Sequence, residues 1–188
     1  MEHVLDVKKL VNELTLEEKA SLCSGADFWH TEAIDRLNIP AAMVSDGPHG
    51  IRKQENLADH MGVAESIKAI GFPTASAMAC SFDRDLLHKV GDALGEECVA
   101  EDLAVLLGPG INMKRSPICG RNFEYYSEDP VVAGELGAAF VNGVQEHGVG
   151  TSLKHFAANN QEWRRMSISA EIDESNVYRN STAFHSFL

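Results

Sequence analysis

Apolar residues near the start of the chain recur with the 3.6-residue spacing of an α-helix. Those of the first segment are Val7, Leu10, Val11 and Leu14. Thr15 is followed three residues later by Glu18, which is the spacing of a capping box. The pattern therefore predicts two short helices, the second starting after Thr15 and ending near residue 22.

Two longer segments show the same period more strongly. Asp83 precedes an amphipathic stretch that extends to about residue 100, and Asp129 followed by Pro130 is suited to begin another helix. The predicted buried stripes are Leu86, Leu87, Val90, Leu94 and Cys98 in the first helix, and Val132, Leu136, Phe140 and Val144 in the second. Asp173 is predicted to cap a further helix.

Short apolar runs between these segments predict four strands, at residues 41–44, 75–80, 105–107 and 151–153. Strands that alternate with helices are typical of a parallel sheet. A closed barrel of this kind needs eight strands and typically about 250 residues. The pattern thus leaves two architectures open within a single predicted domain, residues 1–188: an open sheet, or part of a barrel.

Composition narrows the possible ligands and surroundings. The 188 residues are 44% hydrophobic, which suits one globular domain with a core. The formal net charge is −12, from 16 Lys and Arg against 28 Asp and Glu, so a nucleic-acid partner is not expected and a neutral ligand is compatible. Residues 1–10 lack a secretory apolar region and no run reaches the roughly 18 apolar residues of a membrane span, so no membrane contact and a cytoplasmic location are expected.

Motifs for metals and cofactors are missing from the sequence. The four cysteines form no C-x-x-C pair, and the eight histidines have no metal-ligand spacing. Gly108-Pro109-Gly110 is a lone G-x-G and indicates a tight turn rather than a phosphate-binding loop. We therefore expect neither a metal nor a cofactor.

Polar clusters follow the predicted strands, where parallel α/β folds place their sites. In the first cluster, residues 45–52, Asp46 and Arg52 lie six residues apart in a loop that contains Gly and Pro. A carboxylate accepts hydrogen bonds from two neighbouring sugar hydroxyls, and Arg supplies donors in a fixed fork. The alternative is an Asp that only stabilises its own turn with an Arg partner.

The second cluster, residues 115–129, combines charged, amide and aromatic side chains around Arg121. Aromatic faces can stack on sugar rings, and Arg can bind hydroxyls. The alternative is a loop whose aromatic residues belong to the core, with Glu128 and Asp129 serving the next helix. We favour this alternative for the two acidic residues but not for Arg121.

The third cluster begins with Lys154 and His155 at the end of an apolar strand, where charged groups are costly to bury. Regular strand alternation sends these neighbours to opposite faces. If both reach one pocket, the backbone must leave strand geometry there; otherwise only one of them faces it. A fourth cluster adds Arg164 and Arg165, one of which is expected to face solvent.

Five strings in this order resemble glycoside hydrolase family 3. They are residues 45–52 (SDGPHGIR), 72–74 (FPT), 108–112 (GPGIN), 120–124 with 127–130 (GRNFE, SEDP) and 154–156 (KHF). The continuation at residues 157–162 (AANNQE) resembles the β-glucosidase branch rather than the N-acetylhexosaminidase branch.

The resemblance implies an α/β fold that is about the first half of a TIM-type (β/α)8 barrel, the N-terminal barrel domain of the family. It also implies retaining hydrolysis of terminal non-reducing β-D-glucosyl residues. Asp46 would hold hydroxyls on the far side of the sugar ring. The other substrate-binding residues implied by the resemblance are Arg52, Arg121, Lys154, His155 and Arg165.

The chain departs from the family at the catalytic carboxylates. Members of the family use two carboxylates, roughly 5 Å apart, as nucleophile and acid/base. The nucleophile is an Asp on a later strand, typically followed by Trp, and the acid/base usually comes from a following domain. No Asp-Trp pair occurs here, and the pattern gives the nucleophile role to none of Asp46, Glu124, Glu162 or Asp173. We therefore identify no catalytic residue in this chain and expect it to be inactive alone.

Three functions follow as hypotheses. The first is a β-glucosidase-like chain completed by a second polypeptide or by oligomerisation through an open barrel edge. The second is a non-catalytic sugar-binding or assembly subunit. The third is a barrel lyase that uses Lys154 as a Schiff base.

Overall fold

A computed structural model describes residues 6–54 and 65–176. Two helices come first, followed by alternating strands and helices. The elements are α1 (Val7–Glu13), α2 (Leu16–Ser24), β1 (Val44–Asp46), α3 (Ala75–Ala79), α4 (Arg84–Ala100), β2 (Val105–Leu107), α5 (Pro130–Gln145) and β3 (Gly150–Thr151), with short 3-10 helices at Asp35–Leu37 and Asn122–Glu124.

The described strands form one parallel sheet in the order β1-β2-β3. Val105 of β2 pairs with Val44 on one side and with Gly150 on the other. Each strand therefore lies next to its successor in the chain, and the order does not reverse as it does in doubly wound sheets. The prediction of a parallel α/β fold is confirmed, and the strands predicted at 41–44, 105–107 and 151–153 are present with bounds shifted by up to three residues.

The strand predicted at residues 75–80 is wrong, because this segment forms helix α3. Thr74 caps the helix, its hydroxyl accepting from the Ala77 N–H at 3.3 Å. The segment is rich in alanine, a strong helix former. Met78 is buried in the same hydrophobic cluster as Leu87 of α4. A short apolar run does not by itself distinguish a buried helix from a buried strand.

The predicted helix starts are confirmed at their caps. Thr15 and Glu18 form the reciprocal capping box of α2. Asp83 accepts from the Leu86 N–H at 3.1 Å at the start of α4, and Asp129 accepts from the first turn of α5. Asp173 accepts from the Asn176 N–H at 3.0 Å, and the remainder of that predicted helix lies outside the described residues.

Helices α4 and α5 pack closely because glycines face each other at their contact. A Cβ added to Gly91 would lie 2.2 Å from the Phe140 carbonyl oxygen, and one on Gly143 would lie 2.2 Å from that of His88. Beneath them, Leu94, Phe140 and Leu106 of β2 are fully buried in one cluster. In the described part of the chain, no helix is both long enough and apolar enough to span a membrane.

Candidate functional site

The segments that follow β2 and β3 continue side by side beyond the strands. The Ile111 N–H donates to the Lys154 carbonyl at 2.7 Å, and the Lys154 N–H donates to the Pro109 carbonyl at 3.1 Å. Gly110 lies against the backbone of Glu124, whose carbonyl oxygen would be 2.5 Å from an added Cβ. The missing side chain at Gly110 therefore lets the loop containing Glu124 approach Lys154.

Ion pairs join the end of β1, the loop after β2 and the segment after β3. Lys154 Nζ lies 2.7 Å from Asp46 Oδ1 and 3.6 Å from Glu124 Oε2. Glu124 also forms an ion pair with Arg121, whose Nε donates to Oε1. The Glu124 side chain is only 6% exposed, whereas that of Asp46 is 42% exposed. Asp46 is thus the carboxylate of this cluster that solvent, or a ligand, can reach.

Asp46 is held in its ionised form. Burial alone would raise the pKa of its carboxyl group, but the positive charge and hydrogen bond of Lys154 outweigh it and hold the pKa below its usual range. At neutral pH the group is therefore a hydrogen-bond acceptor only.

His155 lies on the other side of Arg121. Its Nε2 is 2.9 Å from Arg121 Nη2, and its Nδ1 is 2.7 Å from the Tyr125 hydroxyl. Burial lowers the pKa of His155 to about 4, with the positive charge of Arg121 acting in the same direction. The ring is therefore neutral at physiological pH.

Lys154 and His155 both reach this cluster, although they are adjacent in sequence. Strand β3 ends at Thr151, so Lys154 and His155 lie beyond regular strand geometry; the peptide bond between them is cis. Of the two alternatives for this pair, the structure shows the one in which both side chains contact the same group of residues.

Glu162 connects the cluster to the more exposed Arg165. Its carboxylate lies 3.2 Å from Arg165 Nη1 and 3.9 Å from Arg121 Nη1. Asn159 Nδ2 donates to Glu162 at 3.3 Å and to the Tyr125 hydroxyl at 2.7 Å. Arg165 is 58% exposed and lines a cavity of about 310 Å³ beside residues 157–161, a volume at the lower end for small-molecule sites.

The structure thus brings together Asp46, Arg121, Lys154 and His155, and links Arg165 to them through Glu162. Arg52 is exposed, and its backbone N–H donates to the Asp46 carbonyl at 2.9 Å. This backbone bond closes the loop after β1.

Three residues of the cluster had no role in the sequence interpretation: Glu124, Tyr125 and Asn159. Glu124 stands in the GRNFE string without an assigned role, and its position between Phe123 and Tyr125 is the available signal of a buried charge. Tyr125 is fully buried, so for this residue the core alternative is correct, yet its hydroxyl serves the cluster. Nothing local marks Asn159 within the polar run 157–162.

Exposed aromatic rings lie on the same segments as the cluster. Phe123, Phe156 and Trp163 are 52%, 72% and 66% exposed. Within the second cluster, Phe123 is therefore exposed, whereas Tyr125 and Tyr126 are buried as the core alternative predicts.

A parallel α/β fold with polar residues collected beyond the carboxyl ends of its strands is the arrangement of sites in barrels and in open-sheet enzymes. Comparison with known proteins identifies which kind. The protein-family model described as "Glycosyl hydrolase family 3 N terminal domain" matches residues 16–164 of this chain. The chain therefore belongs to glycoside hydrolase family 3.

Curated relatives show the same membership. The chain is 58% identical over 170 residues to "Thermostable beta-glucosidase B" of Acetivibrio thermocellus. The matched stretch covers 90% of this chain and 22% of that protein. It is 52% identical over 163 residues to "Exo-alpha-(1->6)-L-arabinopyranosidase" of Bifidobacterium longum, covering 86% and 22%. The chain therefore spans about a fifth of the length of these relatives.

Solved structures confirm the barrel prediction. A β-glucosidase from Kluyveromyces marxianus in complex with glucose has a TM-score of 0.87 at 40% identity, with 97% of this chain and 21% of that one covered. A family 3 β-glucosidase from Bifidobacterium adolescentis has a TM-score of 0.80 at 48% identity, covering 94% and 25%. The described strands and helices are thus part of the family's N-terminal TIM-type barrel.

Proposed function

We propose that this chain forms the front of the sugar-binding pocket of a retaining β-glucosidase, which hydrolyses terminal non-reducing β-D-glucosyl residues. The observation that carries the proposal is the partly exposed, ionised carboxylate of Asp46, fixed by Lys154 and accompanied by Arg121 and His155. An acceptor-only group beside several donors matches a ligand that presents hydroxyls in pairs.

These groups would assist the reaction through contacts that strengthen as the sugar ring distorts. Asp46 would accept from hydroxyls on the far side of the ring, and Lys154 and Arg121 would donate to hydroxyl oxygens. Arg52 and Arg165 would complete the contacts from the rim. Only interactions that are stronger in the oxocarbenium-like transition state than in the bound substrate accelerate hydrolysis.

In this proposal the nucleophile and the acid/base are supplied from outside residues 1–188. The carboxylates within the cluster are already paired: Asp46 with Lys154, Glu124 with Arg121, and Glu162 with Arg165. A pairing of this kind favours a binding and structural role over covalent attack or proton donation. Lys154, held by two carboxylates, also lacks the apolar surroundings that activate a Schiff-base amine.

The catalytic pair would come from further barrel strands and a second domain, whether these lie on the same polypeptide or on a complementing one. Strand β3 is an edge of the described sheet, and an unpaired parallel edge is a natural place for another strand to add.

The β-glucosidases among the relatives support a glucosyl residue as the sugar. One relative named an arabinopyranosidase shares 52% identity over the same region, close to the 58% of the β-glucosidase. Residues outside this chain therefore contribute to the choice between sugars in this proposal.

Titration of glucose into the ¹⁵N-labelled chain, followed by NMR, tests the binding role. We expect shifts at Arg121, Lys154 and His155, and their loss in Asp46→Asn. The matched control is Asp85→Asn, an exposed carboxylate on α4, which keeps the response. Shifts of equal size in Asp46→Asn would contradict the proposal. If the chain binds glucose but no completed enzyme that contains it hydrolyses a glucoside, the result would favour the alternative of a non-catalytic sugar-binding subunit.

A further inference from the structure

The hydrogen-bond roles of the His155 ring follow from its neighbours. Arg121 has donors only and cannot accept. Its Nη2 lies 2.9 Å from His155 Nε2, so Nε2 must be the accepting, unprotonated nitrogen. In a neutral imidazole the proton then lies on Nδ1.

The Nδ1 proton points to Tyr125. Its hydroxyl oxygen is 2.7 Å from His155 Nδ1 and therefore accepts from it. Asn159 Nδ2 donates to the same oxygen at 2.7 Å. The orientation of the Asn159 amide is fixed independently, because its nitrogen also faces the Glu162 carboxylate at 3.3 Å and a carboxylate only accepts.

Tyr125 is well suited to hold a ring in place. It is fully buried, and its ring meets that of His155 edge to face, with the centroids 5.8 Å apart. Gly110 lies directly beside it, where an added Cβ would be 3.0 Å from Tyr125 Cδ1. Burial raises the pKa of its hydroxyl to about 12, so the group stays protonated across the physiological range.

We propose that Tyr125 is a positioning residue that fixes His155 as the Nδ1–H tautomer, so that Nε2 accepts from Arg121 and orients its guanidinium group beside the ligand pocket. Asn159 supports it by orienting the Tyr125 hydroxyl. The consequence is a defined division of roles: Arg121 and Lys154 donate to the ligand, Asp46 accepts from it, and His155 Nε2 accepts from Arg121. The tautomer stands on geometry alone, and its effect on sugar binding rests on the proposed function.

The test is ¹⁵N NMR of the histidine-labelled chain at neutral pH, with His155→Gln to assign the signal. We expect His155 to show a protonated Nδ1 and an unprotonated Nε2. Tyr125→Phe removes the acceptor and should shift the ring towards a mixture of tautomers. Tyr126→Phe, which removes a hydroxyl from the neighbouring buried tyrosine, should leave the signal unchanged.

Two results would overturn the proposal: an Nε2–H tautomer in the wild-type chain, or an unchanged His155 signal in Tyr125→Phe. The first needs no variant, so the proposal stays testable even if Tyr125→Phe fails to fold.

The functional consequence is measured separately, in a chimaera in which this chain replaces the homologous segment of the A. thermocellus enzyme. We expect Tyr125→Phe to lower kcat/KM by about tenfold, the scale of one hydrogen bond, with Tyr126→Phe within about twofold of the unmodified chimaera. An equal effect of both substitutions would contradict a positioning role. If the chimaera hydrolyses no sugar while the tautomer is as expected, the proposed function fails and the assignment of the ring remains.

Discussion

Lys154 Nζ lies 2.7 Å from Asp46 Oδ1, although the two residues are 108 positions apart in the chain. Asp46 ends β1 and Lys154 follows β3, while β2 separates these two strands in the sheet. The ion pair therefore spans the carboxyl end of β2. It exists only when all three strands are in register, which makes the site a direct product of the sheet order.

Replacing Asp46 should weaken catalysis strongly in a completed enzyme. In the chimaera described above, Asp46→Ala is expected to lower kcat/KM, with a loss of about 3 kcal/mol of transition-state stabilisation, because charge-assisted bonds to sugar hydroxyls are lost. Asp85→Ala is the control and should change kcat/KM little. An unchanged kcat/KM in Asp46→Ala would show that this carboxylate has a structural role only.

Glu124 should matter for stability. Glu124→Gln removes a buried negative charge between Arg121 and Lys154 and leaves two cations without their shared partner. We expect the free energy of unfolding, measured by urea denaturation, to fall by roughly 3 kcal/mol. The exposed neighbour Glu128 provides the control Glu128→Gln, with an expected change within about 0.5 kcal/mol. Similar effects of the two substitutions would mean that Glu124 is not a buried ionic link.

The low pKa of His155 predicts how stability depends on pH. Arg121 and Tyr125 contact the ring, and the charges that act on it are those of Arg121, Glu124, Lys154 and Asp46. The folded ring takes up a proton near pH 4, whereas the ordinary value is 6.5. Between these values the unfolded chain binds more protons, so the contribution of His155 to stability is lost as the pH falls from about 6.5 to about 4.

Urea denaturation of the wild-type chain and of His155→Gln over this pH range checks the prediction. The wild type should lose stability relative to the variant on acidification. A constant difference between the two from pH 7 to pH 4 would show that His155 titrates at its ordinary pKa in the folded state.

The close contact of α4 and α5 predicts an unusual effect of adding a methyl group. Alanine favours a helix by about 1 kcal/mol over glycine, yet Gly143→Ala should destabilise the fold by roughly 1–3 kcal/mol, because its Cβ would meet the α4 backbone. Gly71→Ala, where no atom lies within 4 Å of the added Cβ, should leave thermal stability nearly unchanged. A higher melting temperature for Gly143→Ala would contradict the described packing.

Helix starts could be predicted from sequence because caps are local. Thr15, Asp83 and Asp129 each bond to backbone groups within three residues, so their signal lies within one turn. The segment 75–80 also has a local cap, Thr74, but its short apolar run shows no helical period, and its burial in the core could be known only from the fold.

The site could be predicted in part for a related reason. Asp46, Lys154 and His155 were found because they end strands, a position that the sequence reveals. Glu124 and Tyr125 depend on contacts with residues about 30 positions away. No short-range pattern encodes such contacts, and the order of the strands alone does not fix which loop residues turn inwards.

Release of 4-nitrophenol from 4-nitrophenyl β-glucoside, compared between the purified chain and the chimaera, tests the central claim most directly. We predict no release above background by residues 1–188 alone and clear hydrolysis by the chimaera, since the chain would supply the sugar-binding residues and the added segments the catalytic carboxylates. Hydrolysis by the chain alone would contradict the proposal that the catalytic pair comes from outside residues 1–188. A folded chimaera that releases no 4-nitrophenol would contradict the sugar-binding role itself.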